Sequence, residues 1–454
     1  MRTKERYFWV IVSSLLSIAL FFPFQRVKAL SEISEKYLRV FHEVVTLIQS
    51  VYIDPPSEKA ILIGAIRGAI ASVGDPHSRF LNEEETREFR EESRGSFGGL
   101  GIEVTYSEGA LLVISPIDDT PAMRAGILPQ DKIIEISGKN TDKLSLTEAI
   151  KMMRGNVGTS ISIKILRKGI REPISVSLVR ELIKIEYLKS AFLEKENIGY
   201  IRLSQFLGES TAKEFEKLVL DFTKRSVKGI IIDLRMNPGG FLDHAVKMSD
   251  LFLKPDMDIV SVKGKGGALI KVFKSTSQPE KALNVPVAIL INGGSASASE
   301  ILSGALQDHK RAKIIGQQSF GKGSVQEYYE ISYKTMIALT TQKYYTPSGV
   351  SIHGKGITPD IVMNPITPDE DERFYLDRVI KQNMLKDFVK QNPEYSEKNV
   401  KLFKETIKKK GYTLGDKVIR LILKREYNFG QKAPLYDIEL DSQLQKALEV
   451  LTSS

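Results

Sequence analysis

The stretch INGGSASASEILSG, Ile291 to Gly304, places three serines on alternate positions between an apolar run and a predicted helix. The run Val285 to Ile291 is typical of a strand that is buried on both faces of a sheet, and the glycines after it end the strand. From Ser295 to Leu306, small residues and helically spaced apolar residues predict a helix packed closely on that sheet. A strand that turns directly into a helix indicates an α/β fold.

The upstream segments continue this alternation of strands and helices. The sequence predicts a strand over Ile198 to Leu203, an amphipathic helix over Ser210 to Lys224 and a buried strand over Gly229 to Leu234. In such a sheet, chemistry concentrates at the carboxyl ends of the strands, where loops meet helix N-termini. The three serines lie at one such end.

A serine at that corner has two interpretations. Its hydroxyl would lie beside unpaired backbone N–H groups and the positive end of a helix dipole, where an oxyanion can be stabilised. Serine is also among the residues that most often cap helices, so the stretch alone does not distinguish a nucleophile from a cap. A nucleophile would need a base from elsewhere in the chain.

The composition narrows the chemistry that the 454 residues can support. There are no cysteines, which excludes thiol catalysis, disulfides and cysteine-ligated metals, and the five histidines form no metal-ligand spacing. The formal charge of +9 has a local source, because Lys398 to Arg425 carries ten Lys and Arg residues. This local excess predicts no nucleic-acid partner. We expect neither a metal nor another cofactor.

The N-terminus indicates export. Arg2, Lys4 and Arg6 precede an uncharged run from Tyr7 to Phe24, and Val27-Lys28-Ala29 offers small residues at the positions that a signal peptidase reads. Residues 1–29 are therefore a signal peptide or a signal anchor that holds the chain to a membrane, and both alternatives stay open. Either one sends the remainder to the periplasm or the extracytoplasmic face of the cytoplasmic membrane.

Two regions of helical period flank the rest. In residues 30–94 an apolar stripe is suited to packing on another helix, and a dimer contact is one use for it. Residues 366–454 are charged and helical in pattern, and we interpret them as a solvated extension, with an anionic membrane surface or an oligomer contact as alternatives. The apolar stripe in residues 30–94 consists of Tyr37, Val40, Val44, Leu47 and Ile48.

A glycine-rich segment, Gly95 to Val104, runs into an alternating strand, Ile102 to Tyr106. Such a segment can point several backbone N–H groups at one carboxylate, and a strand edge beside it can accept a peptide as a further strand. With the strand, turn and short-helix signals that follow in order, residues 95–182 resemble a PDZ domain. Alternatively, the glycines serve only a tight turn. The resemblance assigns the family's carboxylate-binding loop to Gly99, Leu100, Gly101 and Ile102.

A lysine between glycines is the candidate base. It is Lys322, in the segment SFGKGSVQ from Ser319 to Gln326. Glycines allow close backbone approach, and a lysine held away from water loses the hydration that favours its charged form, so the amine can accept a proton. Serine and lysine together are a known variant of triad chemistry. Taken alone, Lys322 could equally be a surface lysine in a turn.

Five motifs in order resemble the carboxy-terminal processing proteases, also called tail-specific proteases. The similarity covers roughly Ile33 to Pro365 and includes the PDZ domain. It implies a multidomain α/β fold, with a crotonase-like protease core over residues 183–365 and an inserted, β-rich PDZ domain. The motifs are DLRMNPGG (233–240), SASASE (295–300), FGKGSVQ (320–326), YTPSG (345–349) and GKGITPD (354–360).

The resemblance implies roles for particular residues. Ser297, the middle serine, would be the nucleophile, Lys322 the base, and Gln326, one helical turn further on, the residue that orients the lysine. The oxyanion hole would use the N–H of Ala298 and that of Gly239 or Gly240. Met236 departs from the small or polar residue common between Arg and Asn in the DLRMNPGG motif. The mechanism requires no metal or nucleotide.

The sequence therefore predicts an exported serine endopeptidase that binds the free C-terminus of protein substrates through its PDZ domain. The alternatives are a scaffold with an inactive core and a crotonase-type enzyme acting on acyl thioesters. A homo-oligomer is left open. We further hypothesise that Arg154, which follows the predicted helix Leu146 to Met153, couples tail binding to the assembly of Lys322 and Gln326. The alternative for Arg154 is a solvated charge on the PDZ surface.

Overall fold

The structure is a computed structural model that describes residues 32–107, 110–117, 119–167, 170, 172–278, 281–428 and 434–453. The predicted export segment, residues 1–29, lies outside these ranges. Within them, no helix combines the length and the hydropathy needed to cross a bilayer. The chain divides into two compact units, Met1–Phe80 and Leu81–Ser454.

The described part of the first unit contains two helices, α1 (Glu32–Val51) and α2 (Glu58–Ala71). The predicted apolar stripe lies on α1, but no residue of this helix is buried in the described part of the chain. Four residues of the stripe, Tyr37, Val40, Val44 and Leu47, are exposed within this unit. A short strand, β1 (Arg79–Leu81), follows where the sequence predicted only helix.

The predicted PDZ region is entered and left through a two-stranded ribbon. Helix α3 (Glu83–Arg94) ends at Gly95, whose φ of 76° is left-handed. The glycine-rich segment is not a single loop as predicted, because Ser96–Gly99 forms strand β2 and pairs antiparallel with β9 (Glu181–Lys184). Between them lie β3 (Ile102–Ser107), β4 (Ala110–Pro116), α4 (Pro121–Arg124), β5 (Lys132–Ile136), β6 (Lys139–Asn140), α5 (Leu146–Met153), β7 (Ser160–Leu166) and β8 (Ile174–Val179).

The module has its own sheet and core. Its strands run in the order β3, β4, β5, β7 and β8, with β6 paired to β5. Leu111, Ile133 and Ile163 are among the buried residues that hold the sheet together. The helix predicted over Leu146 to Met153 is α5, and Ser145 caps it by accepting the N–H of Glu148. The module is therefore a separately packed body on the ribbon.

The α/β core follows the predicted alternation. The strand predicted over Ile198 to Leu203 is β11, and the predicted amphipathic helix is α6, with Ser210 at its N-cap. The elements are β10 (Leu188–Leu193), β11 (Ile198–Leu203), α6 (Thr211–Lys224), β12 (Gly229–Asp233), α7 (Leu242–Asp250), β13 (Asp258–Lys263), β14 (Leu269–Lys274), β15 (Val287–Ile291), α8 (Ala298–Asp308), β16 (Ala312–Gly316), β17 (Ser324–Ile331), β18 (Thr335–Tyr345) and β19 (Ile361–Val362).

The main sheet has the order β10, β11, β12, β15, β16 and β19, and all neighbours are parallel except β10 with β11. Strands β13, β14, β17 and β18 belong to a second, antiparallel sheet. Because both faces of the main sheet are buried, alternate residues of β12 serve different cores. Ile230 and Ile232 pack with helices α6 to α8, and Ile231 faces the opposite side.

That opposite face is covered by the end of the chain, which corrects the predicted solvated extension. Helices α9 (Glu370–Lys381), α10 (Met384–Gln391), α11 (Glu397–Lys409) and α12 (Asp416–Tyr427) surround a core of their own. The last helix, α13 (Ser442–Thr452), instead buries Leu444, Leu448 and Leu451 against the main sheet. These three leucines are thus part of the α/β core, because a parallel sheet must be covered on both faces.

A buried ion-pair network fixes α13 to the carboxyl end of β12. Arg235 pairs with Asp233 at 2.6 Å and with Asp441, the N-cap of α13, also at 2.6 Å. Asp233 is fully buried and also accepts hydrogen bonds from Tyr200 and Arg202. Burial acts to raise the pKa of Asp233, but the hydrogen bonds and charges of its arginines hold it below its usual value. The network joins the last helix to the segment that carries Gly239.

We predict that Asp441→Asn lowers the free energy of unfolding by about 1–3 kcal/mol, because Arg235 loses a charged partner in a largely buried site. Urea denaturation of the full chain measures this change. The matched control is Asp377→Asn, which removes an exposed pair with Lys381 and should cost less than about 0.5 kcal/mol. Equal effects of the two substitutions would contradict a structural role for Asp441.

Candidate active site

Ser297 lies at a strained corner between β15 and α8. Its backbone has φ 55° and ψ −112°, a combination that non-glycine residues rarely adopt, and it is the residue before α8 begins. Strain of this kind costs on the order of 1–3 kcal/mol and is found where surrounding contacts impose it. A serine on a sharp strand-to-helix turn is the geometry of a nucleophile elbow. The side chain of Ser297 is 8% exposed.

The two outer serines fasten this corner to the loop after β12. The hydroxyl of Ser295 donates to the carbonyl of Leu234 at 2.8 Å. The hydroxyl of Ser299 donates to the carbonyl of Asn237 at 3.0 Å, and the N–H of Ala296 donates to the same carbonyl at 2.9 Å. Ser295 and Ser299 therefore have structural roles, because they hold two loops in register.

Gly239 brings the second loop against Ser297. A Cβ atom added at Gly239 would lie 2.8 Å from the Cβ of Ser297 and 2.9 Å from the nitrogen of Ala298, and the φ of Gly239 is 103°. Only glycine therefore fits at this position. Ala298 is the first residue of α8, and its N–H makes no hydrogen bond within the described residues. It is available as an oxyanion donor.

The N–H groups of the two candidate glycines point in different directions. The N–H of Gly239 already donates to Oδ1 of Asn237 at 2.9 Å. The carbonyl of Gly239 accepts the N–H of Phe206 at 2.8 Å. Because a trans peptide turns its carbonyl and N–H to opposite sides, the N–H of Gly240 points away from Phe206. Among the described residues it has no partner, so Gly240 has the available donor.

One buried carboxylate joins the serine corner to the lysine loop. Glu300 is 1% exposed, and its Oε1 accepts the hydroxyl of Ser319 at 2.5 Å and the N–H of Gly321 at 2.7 Å. Its Oε2 accepts the N–H of Ser297 at 2.8 Å and that of Lys322 at 2.9 Å. The backbone nitrogens of Ser297 and Lys322 thus lie no further apart than these two distances together. Four donors occupy the two oxygens of Glu300.

Two opposing effects act on the pKa of the Glu300 carboxyl. Burial raises the pKa of this carboxyl, while the four hydrogen bonds act in the opposite direction by favouring its charged form. The ionised carboxylate suits the site because it only accepts hydrogen bonds, and all four neighbouring groups donate. A buried carboxylate with this set of donors fixes the geometry of both loops.

The lysine loop is held from its other side by the GKGITPD motif. The hydroxyl of Ser319 accepts the N–H of Ile357 at 2.6 Å, and the N–H of Ser319 donates to the carbonyl of Ile357 at 3.1 Å. A Cβ atom at Gly323 would lie 2.2 Å from the nitrogen of His353, so this glycine is required by close backbone packing. The SASASE, FGKGSVQ and GKGITPD motifs, which are separate in sequence, therefore meet at one site.

Gln326 lies on a strand, which corrects the expected helical turn between it and Lys322. It belongs to β17, next to an irregularity in the pairing with β18. Its amide nitrogen donates to the hydroxyls of Ser324 at 2.8 Å and Thr340 at 3.1 Å. These two bonds fix the orientation of the amide plane.

The predicted tail-binding loop, Gly99 to Ile102, is a candidate anion nest. The carbonyls of Leu100 and Gly101 accept the N–H groups of Ala122 and Ile117. The N–H groups of Leu100 and Gly101 make no hydrogen bond to any described residue, and Gly101 has a left-handed φ of 75°. Gly99 belongs to β2 and Ile102 begins β3, so the nest lies between two strands. Its free donors suit a carboxylate.

Arg154 packs on the ribbon that leads out of the module. It is the C-cap of α5, and its guanidinium lies 4.3 Å from the centre of the Phe97 ring on β2. The charge of Arg154 also acts on Glu91 of α3, whose pKa is raised by burial and lowered by Arg87 and Arg154. Arg154 is therefore not directed only to solvent: it contacts the connection between the PDZ region and the core.

Two of the described histidines, His244 and His309, are engaged in other contacts. His244 on α7 is largely buried against Phe241, and burial lowers its pKa. The ring of His244 contacts the backbone of Phe206. The N–H of Gly240 points away from Phe206, because the carbonyl of the same peptide accepts the N–H of Phe206. His309 bonds to the carbonyl of Asp258 at 2.7 Å. Within the described ranges there is also no cluster of His, Asp and Glu that could hold a metal ion.

Similarity to known proteins agrees with the motifs. Residues 197–363 match Peptidase family S41, and residues 112–167 match a PDZ domain. The carboxy-terminal-processing protease of Bartonella bacilliformis is 40% identical over 339 residues, which is 74% of this chain and 77% of that protein. The carboxy-terminal processing protease CtpA of Bacillus subtilis is 33% identical over 425 residues, covering 89% and 88%.

Among solved structures, the photosystem II D1 C-terminal processing protease matches with a TM-score of 0.44 and 27% identity, over 70% of this chain and 85% of that one. The sequence relatives define the class of the protein, a serine protease with a PDZ domain. The chain belongs to peptidase family S41, among the carboxy-terminal processing proteases, as its motifs predicted.

Sequence reasoning missed Glu300 and Asn237, although both stood inside the quoted motifs. Glu300 is the only acidic residue between Ile291 and Gly304, and an acid within a buried, small-residue helix start was the available signal. Asn237 is fully buried and uses its amide nitrogen on the carbonyl of Leu203 at 2.8 Å. Asp441 carried no comparable signal, because its partner lies more than two hundred positions away.

We predict that Glu300→Gln sharply reduces both stability and any activity of the site. The glutamine NH2 group would face two donors that now share a carboxylate oxygen, which leaves buried N–H groups unsatisfied at about 1–3 kcal/mol each. Urea denaturation and peptide hydrolysis measure the two effects. Glu330→Gln, which removes an exposed pair with Arg90, is the matched control and should change stability by less than about 1 kcal/mol. A Glu300→Gln protein as stable as this control would contradict the role of the carboxylate.

Proposed function

We propose that this chain is an exported endopeptidase that binds the free C-terminus of a protein substrate through its PDZ domain and cleaves with Ser297 and Lys322. The observation that carries the proposal is the carboxylate of Glu300, which binds the backbone N–H of both residues. One buried oxygen thus brings together a strained serine corner and a glycine-flanked lysine, and a role in catalysis accounts for this arrangement. Family membership supports the same assignment.

In the proposed reaction, the Ser297 hydroxyl attacks the carbonyl carbon of the scissile bond as neutral Lys322 accepts its proton. The developing oxyanion lies toward the N–H groups of Ala298 and Gly240. Collapse of the tetrahedral intermediate breaks the C–N bond, and Lys322 returns the proton to the leaving amine. Water then attacks the acyl-enzyme, Lys322 accepts its proton, and Ser297 leaves with that proton restored. Gln326 orients the lysine.

Substrate binding in this proposal uses the nest between β2 and β3. The free carboxylate of the tail accepts the N–H groups at Leu100 and Gly101, and the preceding residues extend along the edge of the module as an added strand. Main-chain hydrogen bonds supply the affinity for the tail, so tail binding itself requires no particular internal sequence. The positively charged run that precedes Tyr7 supports export of the enzyme across the cytoplasmic membrane.

We predict that Ser297→Ala and Lys322→Ala each lower kcat by at least about a thousandfold, because each removes a proton-transfer partner. Ser299→Ala is the matched control and should cost less than about tenfold, since Asn237 keeps the hydrogen bond from Ala296. The assay is hydrolysis of an unfolded protein that carries either a free or an amidated C-terminus. We expect the free tail to be cleaved with a kcat/KM about tenfold higher, because amidation removes charge-assisted hydrogen bonds.

Three results would reject parts of the proposal. Equal losses from Ser297→Ala and Ser299→Ala would remove the distinction between the serines. Equal cleavage of free and amidated tails would reject recognition of the carboxylate. No hydrolysis of either substrate by the native chain would reject the protease reading and leave a scaffold or an acyl-thioester enzyme.

We also propose that Arg154 exchanges its contact with Phe97 for one with the core when a tail binds, and so helps assemble Lys322 and Gln326. A coupling residue must contact different groups in the two states, and Arg154 already lies on the ribbon between the two bodies.

We predict that Arg154→Ala lowers kcat for a tailed protein by about 5-fold or more, since typical allosteric couplings are about 5–150-fold. The affinity for the tail should change little. Hydrolysis kinetics and equilibrium binding of a tail peptide measure the two quantities. Lys164→Ala, which removes a pair with Glu135 inside the module, is the control and should leave kcat unchanged. Unchanged turnover in Arg154→Ala would make it a surface charge.

A further inference from the structure

The loop that carries the candidate oxyanion donor also carries an exposed apolar side chain. Met236 is 68% exposed, whereas its neighbours Arg235 and Asn237 are held by buried hydrogen bonds. Its backbone has a left-handed φ of 59°. Asn, Asp and Gly adopt that conformation with little strain, and methionine does not. Met236 thus combines an unfavourable backbone conformation with an apolar side chain that is exposed to water.

Met236 is held in place by the turn that leads to Ser297. Its N–H donates to Oδ1 of Asn292 at 2.9 Å, and the same oxygen accepts the N–H of Gly294 at 3.0 Å. A Cβ atom at Gly294 would lie 2.7 Å from the sulfur of Met236, so glycine is needed there for the methionine to lie across the turn. The side chain therefore lies along the backbone that precedes Ser297.

A second exposed apolar side chain flanks the same turn. Phe320 is 62% exposed, and its N–H donates to the carbonyl of Ser295 at 3.0 Å. It precedes Lys322 by two residues, while Met236 precedes Gly240 by four. The turn at Gly294 and Ser295 is thus contacted by two residues with exposed apolar side chains, one from the loop after β12 and one from the lysine loop.

We infer that Met236, with Phe320, binds an apolar side chain of the substrate next to the scissile bond, so that the enzyme selects polypeptides with an aliphatic or aromatic residue at that position. This inference rests on the proposed function. A substrate side chain would bury both groups, which explains why they are exposed in the free protein. The flexible thioether of methionine can adapt to side chains of different shape.

The test uses Met236→Asn, which keeps a residue that tolerates the left-handed φ and removes the apolar contact. We expect stability and selectivity to change differently. The variant should be at least as stable as the native chain in urea, but it should discriminate less between the peptides. A purely structural role for Met236 would move both quantities in the same direction. Met236→Leu retains an apolar contact and should keep the native selectivity. Leu269→Asn, at an exposed apolar position on β14, is the control for surface polarity.

The substrates are tailed peptides in which each residue within three positions of the mapped scissile bond is Leu or Asn in turn. We expect the native chain to prefer Leu at one of these positions by about tenfold in kcat/KM, the usual scale for an apolar subsite. Met236→Asn should reduce that preference to about twofold or less. The preference should be unchanged in Leu269→Asn.

Two outcomes would overturn the inference while leaving the proposed function intact. One is an unchanged preference for Leu in Met236→Asn, and the other is an equal loss of kcat/KM on every peptide. Absence of cleavage by the native chain on all peptides would instead reject the proposed function, and the inference with it. The two failures are distinguishable because only the first leaves measurable hydrolysis.

Discussion

The carboxylate of Glu300 is the interaction on which the site depends. It is buried, and each of its oxygens accepts two donors, one pair from Ser319 and Gly321 and the other from Ser297 and Lys322. An ionised group out of water is costly unless such donors surround it. These donors come from two different loops, so satisfying the charge also places the loops relative to each other.

The strain at Ser297 is sustained by the same construction. Its φ of 55° persists because Glu300 holds its N–H, while Ser295 and Ser299 tie the residues on either side to the loop after β12. That loop is itself fastened from behind through Arg235 and Asp441. The last helix of the chain, which looks peripheral in sequence, thus supports the segment that bears Gly240.

The PDZ region is packed separately and is joined to the core by the ribbon of β2 and β9. Gly95 begins this ribbon and lies against the core, since a Cβ atom there would be 3.0 Å from the Cα of Gly208. The nearby Phe206 bonds to the carbonyl of Gly239. A contiguous set of packed groups therefore runs from the module to the oxyanion loop. Arg154 contacts this ribbon through the ring of Phe97.

The sequence by itself determined the family, the alternation of strands and helices, and the motifs that meet at the site. These follow from local pattern: apolar periodicity, glycine turns and motif order. Tertiary structure alone decided which glycine N–H is available, that Gln326 lies on a strand and that α13 belongs to the core. Each of these depends on contacts between distant segments, such as Gly239 with Phe206 and Asp441 with Arg235. Local propensity carries no information about such pairings, because the energy that fixes them exists only after the chain has packed.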